Sequence, residues 1–330
     1  MTYQRRNLIV ATGVLLALPS IAFTQANKNF RVGVLSFDDN PRDPIWVAFI
    51  MEMAALGYVE GRNLTVVPGF AGKNGRSIES AAVELVGLNI DVLYVAAGTS
   101  GVQAAKSATS TIPIVMLTAG EPVRDNLIAS LSHPGGNITG NANFGLDLLI
   151  KRLQIIVEIL GSPRHVAFLT LRPSPFTRHI EAYRDTLSAA AQTFGVEPHF
   201  FVVDSIDDLE AAFSDMTRRR MDALVIDSTS TFYVHVKRVG ALVVQHRLPA
   251  IGDGRRYADA GLLVAYGIDY NDLARKSARY VDRILRGAKP SNLPVERATK
   301  FEMVVNLKAA EDFGLKIPRG MLAGASEVIR

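Results

Sequence analysis

The sequence contains no cysteine among its 330 residues. Disulfide bonds are therefore excluded, although a chain of this length can fold around hydrophobic cores without them. No cysteine follows the apolar N-terminus either, so no lipid can be attached there. We expect a mature protein that is not a lipoprotein, and a free form of this kind suggests a space enclosed by an outer membrane.

Sequence motifs for catalysis are also missing. The first predicted strand lacks a Gly-x-Gly-x-x-Gly fingerprint, and neither a P-loop nor a Gly-x-Ser-x-Gly elbow occurs. The six histidines form no His-x-x-x-His or His-x-x-Glu-His pair, so no catalytic zinc site is predicted. We therefore predict a protein that is not an enzyme and has no catalytic residue, cofactor or metal. A secreted hydrolase built from serine, histidine and aspartate is a rival that lacks a nucleophile motif.

A strong excess of one charge is absent once the N-terminus is set aside. The chain has 36 lysines and arginines against 32 acidic residues, and residues 1–26 contain two of the basic residues and no acid. The remaining excess is too small for a nucleic-acid binder, whose affinity needs a one-sided basic face. We expect no nucleic-acid partner.

The N-terminus has the features of a secretory signal peptide. Arg5-Arg6 precede an apolar run from Leu8 to Leu18, and the small residues of Thr24-Gln25-Ala26 follow. The run is shorter than the ~20 apolar residues of a membrane-spanning helix. We expect residues 1–26 to be cleaved near Ala26 after export to the periplasm, by the Sec route or, given the paired arginines, by the twin-arginine route.

Predicted strands and helices alternate along the chain in two successive sets. The first set has apolar strands near residues 30–35, 63–68, 91–97 and 112–117. The second set starts with an amphipathic helix at 148–160 and ends with a strand at 301–306. Near-continuous apolar strands between helices predict parallel sheets covered on both faces. The sequence therefore predicts an α/β fold with two Rossmann-like, doubly wound lobes.

Residues that directly follow the predicted strands are the candidates for ligand binding, because ligands of open parallel sheets bind beyond the carboxyl ends of the strands. The candidates from the first lobe are Ser36, Phe37, Gly98, Thr99, Ser100, Glu121 and Pro122. Those from the second lobe are Arg172, Ser174, Asp227, Ser228 and Asp253.

Each candidate has an alternative structural interpretation. Gly98-Thr99-Ser100 precedes a predicted helix, where N–H groups and the helix dipole favour a carboxylate, but these residues would also suit an ordinary N-cap. Glu121 could accept a ligand ammonium or be a solvated turn acid. Arg172 could clamp a carboxylate from the opposite lobe or be a charge at the rim. Phe37 could stack on a ring or belong to a core.

Five segments carry a resemblance to a known family. They are Leu56-Gly57-Tyr58-Val59-Glu60-Gly61-Arg62-Asn63, Ala105 to Met116, His133-Pro134-Gly135-Gly136-Asn137-Ile138-Thr139-Gly140, Tyr280 to Pro290, and Leu293-Pro294-Val295-Glu296. In this order they resemble segments of ABC transporter substrate-binding proteins, in the family that includes tryptophan- and tyrosine-type binding components. The similarity runs over nearly all of the expected mature chain.

The resemblance implies a type I periplasmic binding protein fold with a three-segment hinge. The crossings between lobes are expected near residues 141–147, 255–261 and 290–296. The N-terminal lobe would then comprise residues 28–143 plus 261–290. The C-terminal lobe would comprise residues 144–260 plus 291–330.

The resemblance also implies a function. The chain would be the periplasmic solute-binding component of an ABC importer, a monomer that closes on a small organic solute and docks on a membrane permease. The solute would be an amino acid or another carboxylate, aromatic or not. Family members often have Asn-Pro near Arg172 and Pro-Asp-Pro near Asp227, and these departures leave an aromatic amino acid in doubt. The alternative is a ligand-binding adaptor for a membrane sensor kinase.

Overall fold

The computed structural model describes residues 28–72, 76–143, 145–172 and 180–330. The expected signal peptide, with its cleavage point at Ala26, lies outside these residues, and so does Ser174. No helix in the described part of the chain combines the length and the apolar character needed to span a bilayer.

The first sheet consists of parallel strands. Its members are β1 (Phe30–Ser36), β2 (Leu64–Phe70), β3 (Val92–Val95), β4 (Ile114–Ala119), β5 (Ile138–Ala142) and β11 (Glu296–Arg297). In the described residues the strand order is β11-β5-β4-β3-β1-β2. Every pair in this order is parallel, so the carboxyl ends of these strands meet at one edge.

Helices cover both faces of this sheet. Helices α1 (Pro44–Ala55) and α10 (Tyr270–Leu285) pack together on one face, and α2 (Ile78–Val86) and α3 (Gly98–Ala108) cover the other. Side chains alternate across the sheet, so Val34 packs with α1 and α10 while its neighbour Leu35 packs with α2 and α3. This alternation explains why the strands are apolar throughout.

Acidic and hydroxyl side chains mark the starts of most first-lobe helices. One carboxylate oxygen of Asp43 accepts the N–H groups of Ile45 and Trp46 at 2.9 and 3.4 Å, with Pro44 as the first helical residue. Asp269 caps α10 through the N–H of Asp272 at 2.9 Å. Helix α3 differs, because it begins after Ala97 and no side chain caps it.

The second sheet has seven strands in the described residues. They are β6 (His165–Leu171), β7 (Glu197–Val203), β8 (Ala223–Ile226), β9 (Ala250–Gly252), β10 (Val264–Ile268), β12 (Phe301–Asn306) and β13 (Glu327–Ile329), in the order β13-β12-β10-β9-β8-β6-β7. All pairs are parallel except β10 with β12. The expectation of a wholly parallel sheet is therefore wrong at this one pair.

Helices also cover both faces of the second sheet. They are α4 (Gly145–Leu160), α5 (Ile180–Thr193), α6 (Leu209–Arg218), α7 (Ser230–Val234), α8 (Val236–Gln245), α9 (Gly254–Asp259), α11 (Leu307–Asp312) and α12 (Arg319–Gly324). Two separate apolar clusters lie on the two faces, one formed with α4 and α5 and the other with α6, α8 and α9. The predicted α/β fold of two doubly wound lobes is confirmed.

The chain passes between the sheets after β5, after β10 and after β11. The second and third crossings were expected near residues 255–261 and 290–296, and the strand pairings place both of them after these residues. Residues 254–259 form α9, which packs back on β10 and keeps the chain in the second lobe. Glu296 and Arg297 still pair with β5 in the first sheet.

Each of the two C-terminal segments that were expected to belong to a single lobe, 261–290 and 291–330, contributes elements to both lobes. In the segment 261–290, β10 belongs to the second sheet and α10 to the first lobe. In the segment 291–330, β11 belongs to the first sheet. The antiparallel direction of β12 follows from this path of the chain. The chain leaves the second sheet at the end of β10 and returns beside that end as the start of β12. At this point the N–H of Asp269 donates to the carbonyl of Lys300 at 2.9 Å.

Candidate functional site

A cavity of ≈ 440 Å³ lies between the two lobes. It is lined by residues that follow β1, β3 and β4 on one side and β8 and β9 on the other. This volume falls within the ~300–1,000 Å³ usual for small-molecule sites. Its position is the one expected for a ligand of open parallel sheets.

Eight of the predicted site residues line this cavity in the described structure. They are Ser36, Phe37, Gly98, Thr99, Ser100, Asp227, Ser228 and Asp253. Glu121, Pro122 and Arg172 are not among the lining residues. The Arg172 side chain is 64% exposed and forms an ion pair with Asp204 at 2.9 Å, so the structure places it as a surface charge.

The start of α3 faces the cavity without a side-chain cap. Gly98 has a φ of 61°, which lets the chain turn sharply from β3 into the helix. Thr99 and Ser100 lie inside the first turn: the Thr99 hydroxyl accepts the N–H of Gly120 at 3.1 Å, and the Ser100 hydroxyl donates to the carbonyl of Ala97 at 3.3 Å. Neither residue is an N-cap, so the first-turn N–H groups remain suited to an anion.

A stack of three aromatic rings borders the cavity on the first lobe. The ring centroid of Phe49 lies 4.1 Å from that of Tyr94 and 5.7 Å from that of Trp46. The ring planes of Phe49 and Tyr94 are nearly parallel. Phe49 is fully buried, while Trp46 and Tyr94 line the cavity. We call these three residues the aromatic wall. The residues that follow strands do not include this wall, because Tyr94 lies within β3 and Trp46 within α1. The Asp43-Pro44 pair before Trp46 is the sequence signal for the start of that helix.

Four further phenol groups line the cavity, and they come from both lobes. Tyr183, Tyr233, Tyr257 and Tyr270 are all lining residues. Burial raises the pKa of the Tyr257 phenol and likewise that of Tyr94. Both hydroxyls therefore stay protonated, and in the described structure neither has a hydrogen-bond partner within the protein. Each is available to a polar group of a ligand.

The cavity is electronegative. Its acidic lining residues are Asp38, Asp39, Asp43, Glu60, Asp227 and Asp253, and no lysine or arginine belongs to the lining in the described part of the chain. Two arginines behind the lining neutralise part of this charge, and they act on different acids.

Arg152 neutralises Asp253 from within the second lobe. Its side chain is 0% exposed, and its guanidinium donates to the carbonyls of Tyr266 and Ile226 at 2.7 and 3.1 Å. One of its nitrogens lies 2.8 Å from an oxygen of Asp253, a charge contact rather than an aligned hydrogen bond. The other Asp253 oxygen accepts the Tyr270 hydroxyl at 2.6 Å.

Asp227 differs from Asp253 because no described lysine or arginine makes an ion pair with it. The side chain accepts the Thr170 hydroxyl at 2.8 Å. Burial raises the pKa of Asp227, and that hydrogen bond together with the more distant charge of Arg152 opposes the rise. Among the described residues Asp227 is thus a lining acid without a direct counter-charge, which favours a cationic group in the cavity.

Polar contacts connect the two lobes at the cavity. One nitrogen of Arg256 on α9 lies 2.8 Å from Asp38 and 3.2 Å from Asp43 of the first lobe. Tyr233 donates to Asp43 at 3.4 Å, and the Arg256 guanidinium lies over the Tyr233 ring at 4.4 Å. We call Asp38, Asp43, Tyr233 and Arg256 the latch. The latch bridges the lobes at the cavity.

Two lobes that enclose a cavity and are joined by three crossings define a type I periplasmic binding protein fold. The family model for ABC transporter substrate binding proteins matches residues 32–329, and the chain belongs to this family.

Known proteins of several bacteria are similar to this chain. A tyrosine-binding protein of Clostridioides difficile (strain R20291) is 24% identical over 285 residues, 86% of this chain and 80% of that protein. A Streptococcus pneumonia ABC domain solved in complex with L-Trp has a TM-score of 0.81 and 23% identity, over 92% of this chain and 100% of that one. A conserved domain protein from Vibrio cholerae has a TM-score of 0.80 and 26% identity, over 91% and 100%.

Proposed function

We propose that the chain is the periplasmic solute-binding component of an ABC importer. In this role it acts as a monomer, closes on a small solute and delivers it to a membrane permease. Membership of the family supports this proposal, as does the cavity between two lobes held together by the latch. A solute that contacts both lobes would favour the closed arrangement, because only differential contacts shift such an equilibrium.

We further propose that the solute is an amino acid. The observation that carries this proposal is the pairing of an uncapped helix start with an acid that lacks a counter-charge. The carboxylate would accept the first-turn N–H groups of α3, and the ammonium group would face Asp227. A carboxylate without an amine is disfavoured, because it would give Asp227 no cationic partner and add a further negative charge to an electronegative cavity.

The aromatic wall supports a large apolar or aromatic side chain on this amino acid. Trp46 and Tyr94 present ring surfaces to the cavity, and aromatic pairs contribute ~0.5–1.5 kcal/mol beyond the area that they bury. The relatives named for tyrosine and solved with L-Trp agree with this chemistry. Because these relatives share only about a quarter of their residues with this chain, the residues that line its cavity support the proposal more strongly than the relatives do.

Thermal unfolding with matched compounds tests the proposal. The panel comprises tyrosine, tryptophan, phenylalanine, leucine and glycine, together with the desamino and N-acetyl analogues of each aromatic member. A ligand at a hundredfold excess over its dissociation constant adds ~2.7 kcal/mol to stability and raises Tm by several degrees. We expect this rise with at least one large amino acid and not with its desamino or N-acetyl analogue.

Asp227→Asn provides the matched variant, because asparagine has nearly the same volume and no charge. We expect the variant to keep its fold and to bind the amino acid at least tenfold more weakly, which corresponds to ~1.4 kcal/mol. Equal binding of amino acid and desamino analogue by the wild type would contradict the proposed role of Asp227. No shift with any amino acid would contradict the proposed solute class.

A further inference from the structure

Three metal-ligating side chains meet at the end of the second lobe that lies away from the cavity. His165 is the first residue of β6 and Glu197 the first residue of β7, and these two residues are register partners. His199 follows on the same face of β7, two residues along. The carboxyl ends of the same strands face the cavity, so this cluster is separated from it by the length of a strand.

The candidate ligand atoms lie close enough together to surround one metal ion. His165 Nδ1 lies 3.1 Å from His199 Nε2 and 3.5 Å from one carboxylate oxygen of Glu197, and His199 Nε2 lies 3.5 Å from the other oxygen. Tetrahedral bonds of ~2.0–2.1 Å place neighbouring ligand atoms roughly 3.3–3.4 Å apart. All three ligand atoms lie within 4.8 Å of one another.

We propose that His165, Glu197 and His199 form a binding site for a divalent transition-metal ion, with Zn²⁺ as the reference ion. Two imidazoles and one carboxylate suit Zn²⁺, Ni²⁺ or Cu²⁺ rather than Ca²⁺ or Mg²⁺, which prefer oxygen ligands. Three protein ligands leave a fourth tetrahedral position for water. The site is independent of the proposed solute, since none of its residues lines the cavity.

Arg219 opposes the binding of a metal at this site. Its guanidinium lies 2.8 Å from His199 Nδ1, and since arginine only donates, that nitrogen accepts and the neutral ring carries its proton on Nε2. A metal needs the Nε2 lone pair, so the proton must move to Nδ1 and Arg219 must leave. Arg219 has another partner, because Asp215 lies 3.6 Å from it.

Metal titration of the untagged chain tests the site. We expect one Zn²⁺ per chain by calorimetry, and visible absorption typical of tetrahedral coordination when Co²⁺ is the probe. His165→Ala and His199→Ala should each weaken binding tenfold or more, and Glu197→Gln should weaken it less. His133→Ala is the control, because His133 is an exposed first-lobe histidine whose ring forms a hydrogen bond with Ser132.

Arg219→Ala gives a result that a general loss of structure cannot imitate. Because it removes both the competing hydrogen bond and a nearby positive charge, we expect it to strengthen Zn²⁺ binding severalfold. Far-UV circular dichroism establishes that each variant is folded. The proposal is overturned if the wild type binds Zn²⁺ no more tightly than the His165→Ala/His199→Ala double variant, or if Arg219→Ala weakens binding.

Discussion

The replacement Arg152→Met tests how much of the second lobe depends on one buried arginine. Methionine retains most of the apolar length of the side chain and removes its charge. Of its side-chain partners in the described part of the chain, Asp253, 5% exposed, then keeps only the Tyr270 hydroxyl, and the carbonyls of Tyr266 and Ile226 each lose a donor.

The expected loss follows from this burial. Removal of one partner of a buried ion pair destabilises a protein by about 3–5 kcal/mol, because the other charge remains without compensation. This loss is large against a total stability of about 5–15 kcal/mol. We expect Arg152→Met to lower the free energy of unfolding by at least 3 kcal/mol, as measured by urea denaturation followed by circular dichroism.

A double-mutant cycle separates charge from packing. If the uncompensated carboxylate causes the loss, Asp253→Asn in the Arg152→Met background should recover a large part of it, since asparagine can still accept from Tyr270. A loss below about 1 kcal/mol in the single variant would refute the reasoning. So would a double variant as unstable as the sum of the two single variants.

Two further predictions concern lobe closure and pH. Gly98→Ala and Gly314→Ala both place alanine at a positive φ, 61° and 69°, but only the first brings a Cβ to within 2.9 Å of the Ser230 hydroxyl of the opposite lobe. We expect both variants to lose ~1 kcal/mol of stability. Only Gly98→Ala should also have a larger radius of gyration by X-ray scattering, because its Cβ pushes against Ser230 of the opposite lobe. Equal radii of gyration for the two variants would contradict this contact. Burial by itself would raise the pKa of Asp272, but hydrogen bonds from Lys300 and Lys276 outweigh it, so the pKa is lowered in the folded protein. The ionised Asp272 therefore stabilises the fold at pH values above the pKa of the unfolded chain, ~4. This stabilisation is lost as the pH falls through the lowered pKa of the folded protein. Asp272→Asn should therefore be less stable than the wild type at pH 7, with the difference closing in acid; a constant difference from pH 7 to pH 3 would count against this linkage.

The alternation of apolar strands with helices was sufficient to predict both lobes from the sequence. It failed at the hinge, where β10 and α10 follow each other directly but belong to different lobes. Local patterns describe each element and do not say which sheet it joins. The pairing of β10 with β12 depends on residues more than thirty positions apart, such as Ile268 and Phe301.

The lining of the cavity could be predicted where it is formed by the residues that directly follow a strand. That rule places Thr99 and Asp227 correctly in the cavity lining. It could not find Trp46, which a helix contributes, or Tyr94, which lies inside a strand. The rule also selected Arg172, although its position beyond β6 leaves the side chain in solvent beside Asp204.

The cluster at the opposite end of the second lobe illustrates the same limit. His165 and His199 are separated by 34 positions, so no motif based on helical spacing includes both. Their proximity follows from the parallel register of two neighbouring strands. Only the strand pairing reveals a possible set of ligands.

The two oxygens of Asp43 serve different parts of the molecule. Oδ1 accepts the first amides of α1, and Oδ2 accepts from Arg256 and Tyr233 across the gap. Separation of the lobes would remove the partners of Oδ2 and leave those of Oδ1 in place. Trp46 would thus keep its position in an open molecule. An arriving solute would first meet a preformed surface on the N-terminal half, and the acid at position 227 would engage it only afterwards, during closure.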